Sequence, residues 1–437
     1  MKSPTKGINI VYVGLLLLMS LHLLYCNPFE NIIKSFVDDD EITTITTDNE
    51  TQLIEAVEYL NENGGTIYID TPVININGGI SLTVSKNYPG GIIGIRQENG
   101  EYPRINFVLS EEVEDSGIFI YGSNKFIEYI IVENSINNGI TVMGDNNIFD
   151  HVISRYNYCS GFLVYGDFNT FNYCYSYRNS DISPIGPNSD GFRVAGESNN
   201  VFHYCFAWDN KNNGFNYDRI YNSSDLSYIH SGSWNNGNVD VFTGRYDYEK
   251  GRPLDKKLLT IQEIIKSDPN YVSNYYNKNF KIDEKVKIGY FEIEEWISFL
   301  HSTMNGNGFI FGNLNSSQSI DVKRNSNFNV AFDHGSGGFV DNYNHKYNAF
   351  FTDCVSFNNG INYKFPYYTL SKWSNNWSWN SRNQEQLNND PELKKPRNKN
   401  SAHRAFYSIR DQIENAVFAN LFPDNINFDL AIKNLRD

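Results

Sequence analysis

The sequence predicts an all-β parallel β-helix on three observations: a repeat of about 22 residues, an unusual load of Asn, and columns of like residues that keep the repeat's step. Asn accounts for 62 of the 437 residues, beside 32 Gly and only 4 Met. That is a composition of turns and strands rather than helices. Gly followed by an apolar residue recurs at Gly117, Gly139, Gly161, Gly191, Gly214, Gly237, Gly308, Gly338 and Gly360. Gly237 is the weakest member, with Asn238 before Val239. The steps are 22, 22, 30, 23, 23, 71, 30 and 22 residues, a solenoid period with insertions. Leucine-rich repeats share the period, but their Leu framework is absent.

A second column runs through Ile130, Val152, Cys174, Cys205, Ile229 and Cys354, each read into a short alternating strand. Small apolar residues stacked at one rung position suit the interior of a β-helix, where rungs lie about 4.8 Å apart. Cys174, Cys205 and Cys354 are therefore read as a buried stack, and with Cys159 they are too scattered for a disulfide scaffold. Five residues after Val152, Cys174, Cys205 and Cys354 come Asn157, Asn179, Asn210 and Asn359. Asn tolerates a left-handed backbone, and its amide can bond its copy one rung away. A ladder of Asn inside a turn explains the composition.

Taken in order, Lys2 and Lys6 precede an apolar run from Ile8 to Tyr25, so residues 1–26 read as a signal peptide or an uncleaved anchor. Sequons at Asn49, Asn222, Asn315 and Asn376 fit a secreted, extracellular route. Residues 27–44 read as a linker and 45–370 as the β-helix. Asp48 is placed as the N-cap of a helix carrying Leu53, Val57 and Leu60 and ended by Asn63-Gly64, which covers the open sheet edge. Gly65 to Asp70 begins the first strand. A two-helix insertion at about 250–303 rests on Leu258, Ile261, Ile264 and Ile265, then on Ile293, Trp296, Ile297 and Leu300. After Phe365 the pattern dissolves, leaving 371–437 as an extension with Trp373, Trp377 and Trp379. A final helix carrying Phe406, Ile409, Ile413 and Val417 is placed against the barrel.

The charge sum, 36 Lys and Arg against 51 Asp and Glu, gives −15 and sets nucleic acid aside as a partner. Three turn motifs stand at Asn188-Ser-Asp-Gly-Phe192, at Ala207-Trp-Asp-Asn-Lys-Asn-Asn-Gly-Phe-Asn216 and at Asn305-Gly-Asn-Gly-Phe309. With Phe357-Asn-Asn-Gly-Ile-Asn-Tyr363, they make the chain from about Gly117 to Phe365 resemble the family 9 polysaccharide lyases. These are secreted, calcium-dependent pectate lyases with a right-handed parallel β-helix of the pectin-lyase-like kind. The resemblance implies calcium on the substrate carboxylate, a lysine that removes the C5 proton of galacturonate, and β-elimination. It matches the family's first calcium-binding Asp to Asp190. The three further ligand positions fall on Asn212, Asn213 and Asn216, and the base-lysine position on Ile310. Asn offers calcium only a neutral carbonyl, and isoleucine has no atom that can accept a proton. What the resemblance implies here is a degraded calcium site with calcium weak or absent and elimination lost or much weakened.

Arg193, Asn216 and Ile310 each lie two residues after a repeat glycine, so they share a column with Arg193 beside Asn216. Three roles stay open for Arg193: pairing with a sugar carboxylate in calcium's place, a structural ion pair with Asp190, or the base itself. A pKa above about 12 argues against the last, although Arg is the base in other β-helix pectate lyases. With Asp190 and Arg193, Lys211 and Arg219 complete the candidate substrate-binding set. A polygalacturonase-type hydrolase needs paired Asp carboxylates. It finds only Asn188-Ser-Asp190 and an imperfect echo at Asp333-His-Gly335. The histidines show no metal spacing, and His203, His230 and His334 read as surface or turn residues. Tyr and Trp read as internal stacks before sugar platforms. Three functions remain: a monomeric binder of acidic, pectate-like polysaccharide with impaired lyase chemistry, an active lyase on another uronic acid using Arg193 or an insertion residue, and a non-catalytic surface or structural protein.

Overall fold

The computed structural model describes residues 42–45, 50–76, 81–84, 90–108, 117–135, 137–157, 159–179, 189–196, 199–217, 225–237, 306–312, 323–341, 348–366, 369–387, 391–398, 400–402 and 404–407, with four two-residue strand backbones between 242 and 259. Three parallel sheets of 11, 10 and 10 strands run the length of the repeat. One coil passes through the first sheet at Ile148–Asp150, the second at Ile153–Arg155 and the third at Phe162–Val164. Every strand then pairs in parallel with its counterpart one repeat on, as Phe162 does with Phe192 and Phe192 with Phe215.

Like residues stack because the rung spacing equals the contact distance of two aromatic rings. Inside, Phe162, Phe192, Phe215, Phe309 and Phe339 form one column with centroids 4.7 to 5.0 Å apart. Phe149, Phe171 and Phe202 form a second and meet the first edge-on. Arg324 is buried in the same interior, its guanidinium 4.7 Å from the Tyr217 ring and its Nε donating to the Phe311 carbonyl at 3.1 Å.

The glycine and Asn columns prove to be one device. Asn157 Nδ2 donates to Asn179 Oδ1, Asn179 to Asn210 and Asn210 to Asn236, at 2.9, 2.9 and 3.0 Å. All four are fully buried in the corner that feeds the third sheet. A Cβ on Gly139 would lie 2.1 Å from Ser154 Oγ and 2.5 Å from Asn157 Nδ2; one on Gly161 would lie 1.9 Å from Ser176 Oγ. Only glycine leaves room for the ladder behind it. Gly117, Gly139, Gly161, Gly191, Gly214, Gly308 and Gly338 keep register, but Gly237 and Gly360 do not. Gly237 belongs to a corner with φ 76°, and the pairing of Phe339 with Tyr363 puts Asn362, not Gly360, beside Gly338. A second Asn ladder, through Asn147, Asn169 and Asn200, stands at the corner before the first sheet.

The cysteine column also needs one change. His203 pairs with Ile229, so the residue beside Cys205 is Ser231, whose hydroxyl accepts the Cys205 N–H at 3.1 Å. The column lies in the two-residue turn between the first and second sheets rather than inside strands. Cys174, Cys205 and Cys354 are fully buried, Cys159 is half-buried, and all four are free thiols.

Each two-residue turn between the first and second sheets holds a left-handed residue, and six of these are aromatic. Tyr129, His151, Tyr173, Tyr204, His230 and Phe328 have φ between 49° and 55°. Their rings stack on the outside at 4.8 to 4.9 Å. A left-handed bulky residue costs about 1 to 2 kcal/mol, which a ring stack of about 0.5 to 1.5 kcal/mol per pair offsets in part.

At the N-terminal end the helix Glu50–Asn63 buries Leu53, Ala56, Val57 and Leu60. It stops at Gly64, which has φ 86° and donates its N–H to the Leu60 carbonyl. Asp48 lies outside the described residues. The strand Ile42–Ile45 pairs with Gly65–Ile69, so the first sheet begins inside the segment read as linker. Leu258–Leu259 pairs antiparallel with Phe242–Thr243, so Leu258 is in a strand and not a helix. The remaining predicted positions of the insertion, Ile261 to Leu300, lie outside the described residues. The coil does not end near 370. Trp377–Trp379 pairs with Val355–Phe357, and Gln386–Leu387 with Lys364–Phe365. Helical residues 400–402 and 404–407 pack Phe406 edge-on against Phe332 and Phe357 on the outer face of the second sheet. Ile409, Ile413 and Val417 lie outside the described residues, as do the predicted signal segment and the sequons at Asn49, Asn222 and Asn315. Asn376 is fully buried, donates to the Phe351 carbonyl and accepts the Cys354 N–H, so that sequon is closed in the folded chain.

Candidate functional site

The third sheet and the corner that feeds it carry the motif residues. In the strand Phe192–Val194, Phe192 and Val194 point inward and Arg193 outward; in Phe215–Tyr217, Asn216 is the outward residue. Arg193 pairs in register with Asn216, and Asn216 with Ile310, so the column read from the repeat is present. Arg193 is half-buried, whereas Asn216 and Ile310 are buried. Ile310 packs with Val340 and Ile361 in an apolar cluster of its own.

Asp190 is fully buried at the entry to its strand. Its Oδ1 accepts from Asn212 Nδ2 at 2.8 Å, from the Asn213 N–H at 3.0 Å and from Asn213 Nδ2 at 2.9 Å; its Oδ2 accepts from Asn216 Nδ2 at 2.8 Å. The three Asn side chains thus turn their nitrogens onto one carboxylate. Asn213 Oδ1 in turn accepts from the backbone and side chain of Asn307, both at 3.0 Å. Asn216 Oδ1 is buried and makes no hydrogen bond. Burial pushes the Asp190 carboxyl up to about 6, against the Asn216 amide, the Arg193 charge and the Asn213 donors, which hold it down.

Of the other candidates, Lys211 is buried at 1% exposure and is not offered to a ligand at the surface, and Arg219 lies outside the described residues. The histidines are more packed than the sequence suggested. His230 belongs to the outer stack, His203 packs beside it with ring centroids 5.5 Å apart, and burial lowers the pKa of both. His334 is fully buried and takes an Asn's place in the ladder. Its N–H donates to Asn359 Oδ1, its Nδ1 accepts the Asn236 N–H at 3.3 Å, and its Nε2 donates to the Ser233 carbonyl at 3.1 Å. Burial pushes its pKa down to about 3. Among the described residues no three His, Cys, Asp or Glu side chains converge as a metal site.

Two features of this face escaped the sequence reading. One is the amide cage itself, since an Asn at a calcium-ligand position does not announce which end of its amide it will present. The other is a stripe of exposed apolar residues, Tyr121, Met143 and Tyr165, each four residues after a repeat glycine. The repeat carries that signal at the fourth residue after each of these glycines.

A family model described as "Pel9A-like, right handed beta helix region" matches residues 36–251. The crystal structure of pectate lyase Pel9A superposes with a TM-score of 0.52 at 19% identity, covering 78% of this chain and 72% of that one. A rhamnogalacturonan lyase gives 0.45 at 16% identity, over 75% of this chain and 78% of that one. No curated protein matches the sequence. The fold is the pectate-lyase-like right-handed parallel β-helix.

Proposed function

We propose that this pectate-lyase-like β-helix is a secreted, monomeric protein that binds a carboxylated, pectate-like polysaccharide over Asp190 and Arg193 without calcium, and that its elimination chemistry has been lost. The observation that carries this reading is the closure of three Asn amides onto Asp190. Calcium takes about six to eight oxygens, most of its affinity coming from carboxylates. Here one carboxylate already accepts four hydrogen bonds, and the Asn213 oxygen is taken by Asn307. Held this way, the set leaves calcium one buried oxygen without a hydrogen bond, that of Asn216, which is too few for the about six to eight it takes.

Arg193 then supplies the positive charge that a uronate needs, with a planar fork that can hold a carboxylate through two bonds. The neutral amides around Asp190 compensate its charge without competing for the sugar. Ile310 supports the loss of catalysis, because a buried apolar side chain neither accepts a proton nor leaves space for one that could. Near-ultraviolet absorbance of the protein with polygalacturonate tests the chemical half of the proposal. A flat trace with and without calcium is expected, and accumulation of an unsaturated product would overturn it.

A further inference from the structure

Arg193 stands between a covered stretch of the third sheet and a stripe of exposed apolar side chains. Toward the C-terminal end, the next three residues of its column, Asn216, Ile310 and Val340, are 6%, 2% and 1% exposed. The outer face of the sheet is covered over those rungs. Toward the N-terminal end, register carries the column through Leu163, Thr141 and Phe119, of which Leu163 and Phe119 are half-buried and Thr141 is 6% exposed, so the open surface lies beside the column and not on it. A parallel column two residues further along each strand holds Tyr165, Met143 and Tyr121. The backbone N–H groups of Tyr165 and Met143 continue the ladder onto Val142 and Ile120. These three side chains are 42%, 41% and 49% exposed, among the most open large apolar groups in the described residues. The Phe119 and Tyr121 rings lie nearly parallel, 6.2 Å apart. Tyr121 and Tyr165 are separated by the Met143 rung and form no ring stack along the axis, and all three side chains are open to solvent.

On the reading that Arg193 pairs with a uronate, we infer that the site holds the end of an acidic polysaccharide rather than its middle. The terminal uronate sits at Arg193, against the covered rungs, and the chain leads away over Tyr165, Met143 and Tyr121. Three arguments fix that occupant. A pyranose presents an apolar face that suits exposed aromatic and thioether side chains. The rung spacing of about 4.8 Å is of the same order as one sugar repeat, so one residue meets one coil. The basic group stands at one end of the stripe, beside the covered section.

Calorimetric titration of the full-length protein in chelator tests this, with galacturonate, tetragalacturonate, tetragalacturonate blocked at either end with a bulky group, and long polygalacturonate. End binding predicts saturation at one protein per chain whatever its length. It also predicts an affinity loss of about tenfold or more for one end-blocked tetramer and not for the other. Tyr165→Ala should weaken tetragalacturonate about tenfold and leave galacturonate unchanged. Stoichiometry that grows with polymer length, or equal binding of both blocked tetramers, would overturn end recognition while leaving carboxylate binding intact. If the wild-type protein binds none of these ligands, the Arg193 reading falls and this inference with it.

Discussion

His334 stands where the ladder calls for Asn, and replacing it with Asn should remove a pH dependence of folding. In the folded chain the ring is neutral, because its Nδ1 accepts the Asn236 N–H while its Nε2 faces a carbonyl. A proton on Nδ1 would oppose that donor in a fully buried site. The folded pKa, about 3, lies below the ordinary value of 6.5. As pH falls from 6.5 toward 3 the unfolded chain therefore takes up a proton that the folded chain refuses, and stability declines. From those two values the loss is about 2 kcal/mol at pH 5 and about 4 kcal/mol at pH 3, relative to pH 8. His334→Asn can accept the same Asn236 N–H and donate to the same carbonyl, and it should lose this component. The smaller side chain leaves a void beside Gly308, whose missing Cβ the ring approaches to 2.7 Å; this costs about 1 kcal/mol at every pH. Asp190, raised by burial, titrates with the opposite sign, so only the difference between variant and wild type isolates His334. Urea unfolding of both at pH 8 and pH 5 reads that difference. An unchanged pH dependence in the variant would refute the assignment of His334 as a buried neutral ladder member.

Further outcomes follow from the same coil geometry. Asn210→Ala strips the acceptor from the Asn179 backbone and side-chain amides and should destabilise by about 3 kcal/mol in urea unfolding. Gly161→Ala should cost more than about 2 kcal/mol, since its Cβ meets Ser176 Oγ at 1.9 Å, whereas Gly335→Ala, with nothing within 4 Å, should be nearly silent. A thiol reagent followed by peptide mass mapping should modify Cys159 in the folded protein and spare Cys174, Cys205 and Cys354 until denaturant is added.

Much of the architecture was legible because a solenoid repeats its constraints. The Gly and Asn columns, the Cys stack and the adjacency of Arg193, Asn216 and Ile310 all follow from one period. Register was lost where the period was broken. Equal steps place Ile229 two residues short of Ser231 and Gly360 two residues short of Asn362, because the coils there run to 26 and 24 residues. The coil beyond 370 was missed because aromatic rungs such as Trp377–Trp379 carry neither Gly nor the Asn spacing. His334 was read as a turn residue because a single His shows nothing of its burial; its place 98 residues after Asn236, beyond the insertion, hid the ladder. At the site, sequence identified Asp190 and its three Asn partners but not the direction of their amides, which depends on which group lacks a donor in the fold.

In the proposed function Arg193, and not calcium, binds the carboxylate of the sugar. Titration calorimetry of tetragalacturonate in chelator, with wild type and Arg193→Ala side by side, tests it most directly. Binding by the wild type should persist in chelator, and the affinity of the variant, measured where it is still fully folded, should be at least about tenfold lower. Equal affinity in the two proteins, or binding by the wild type that appears only when calcium is restored, would contradict it.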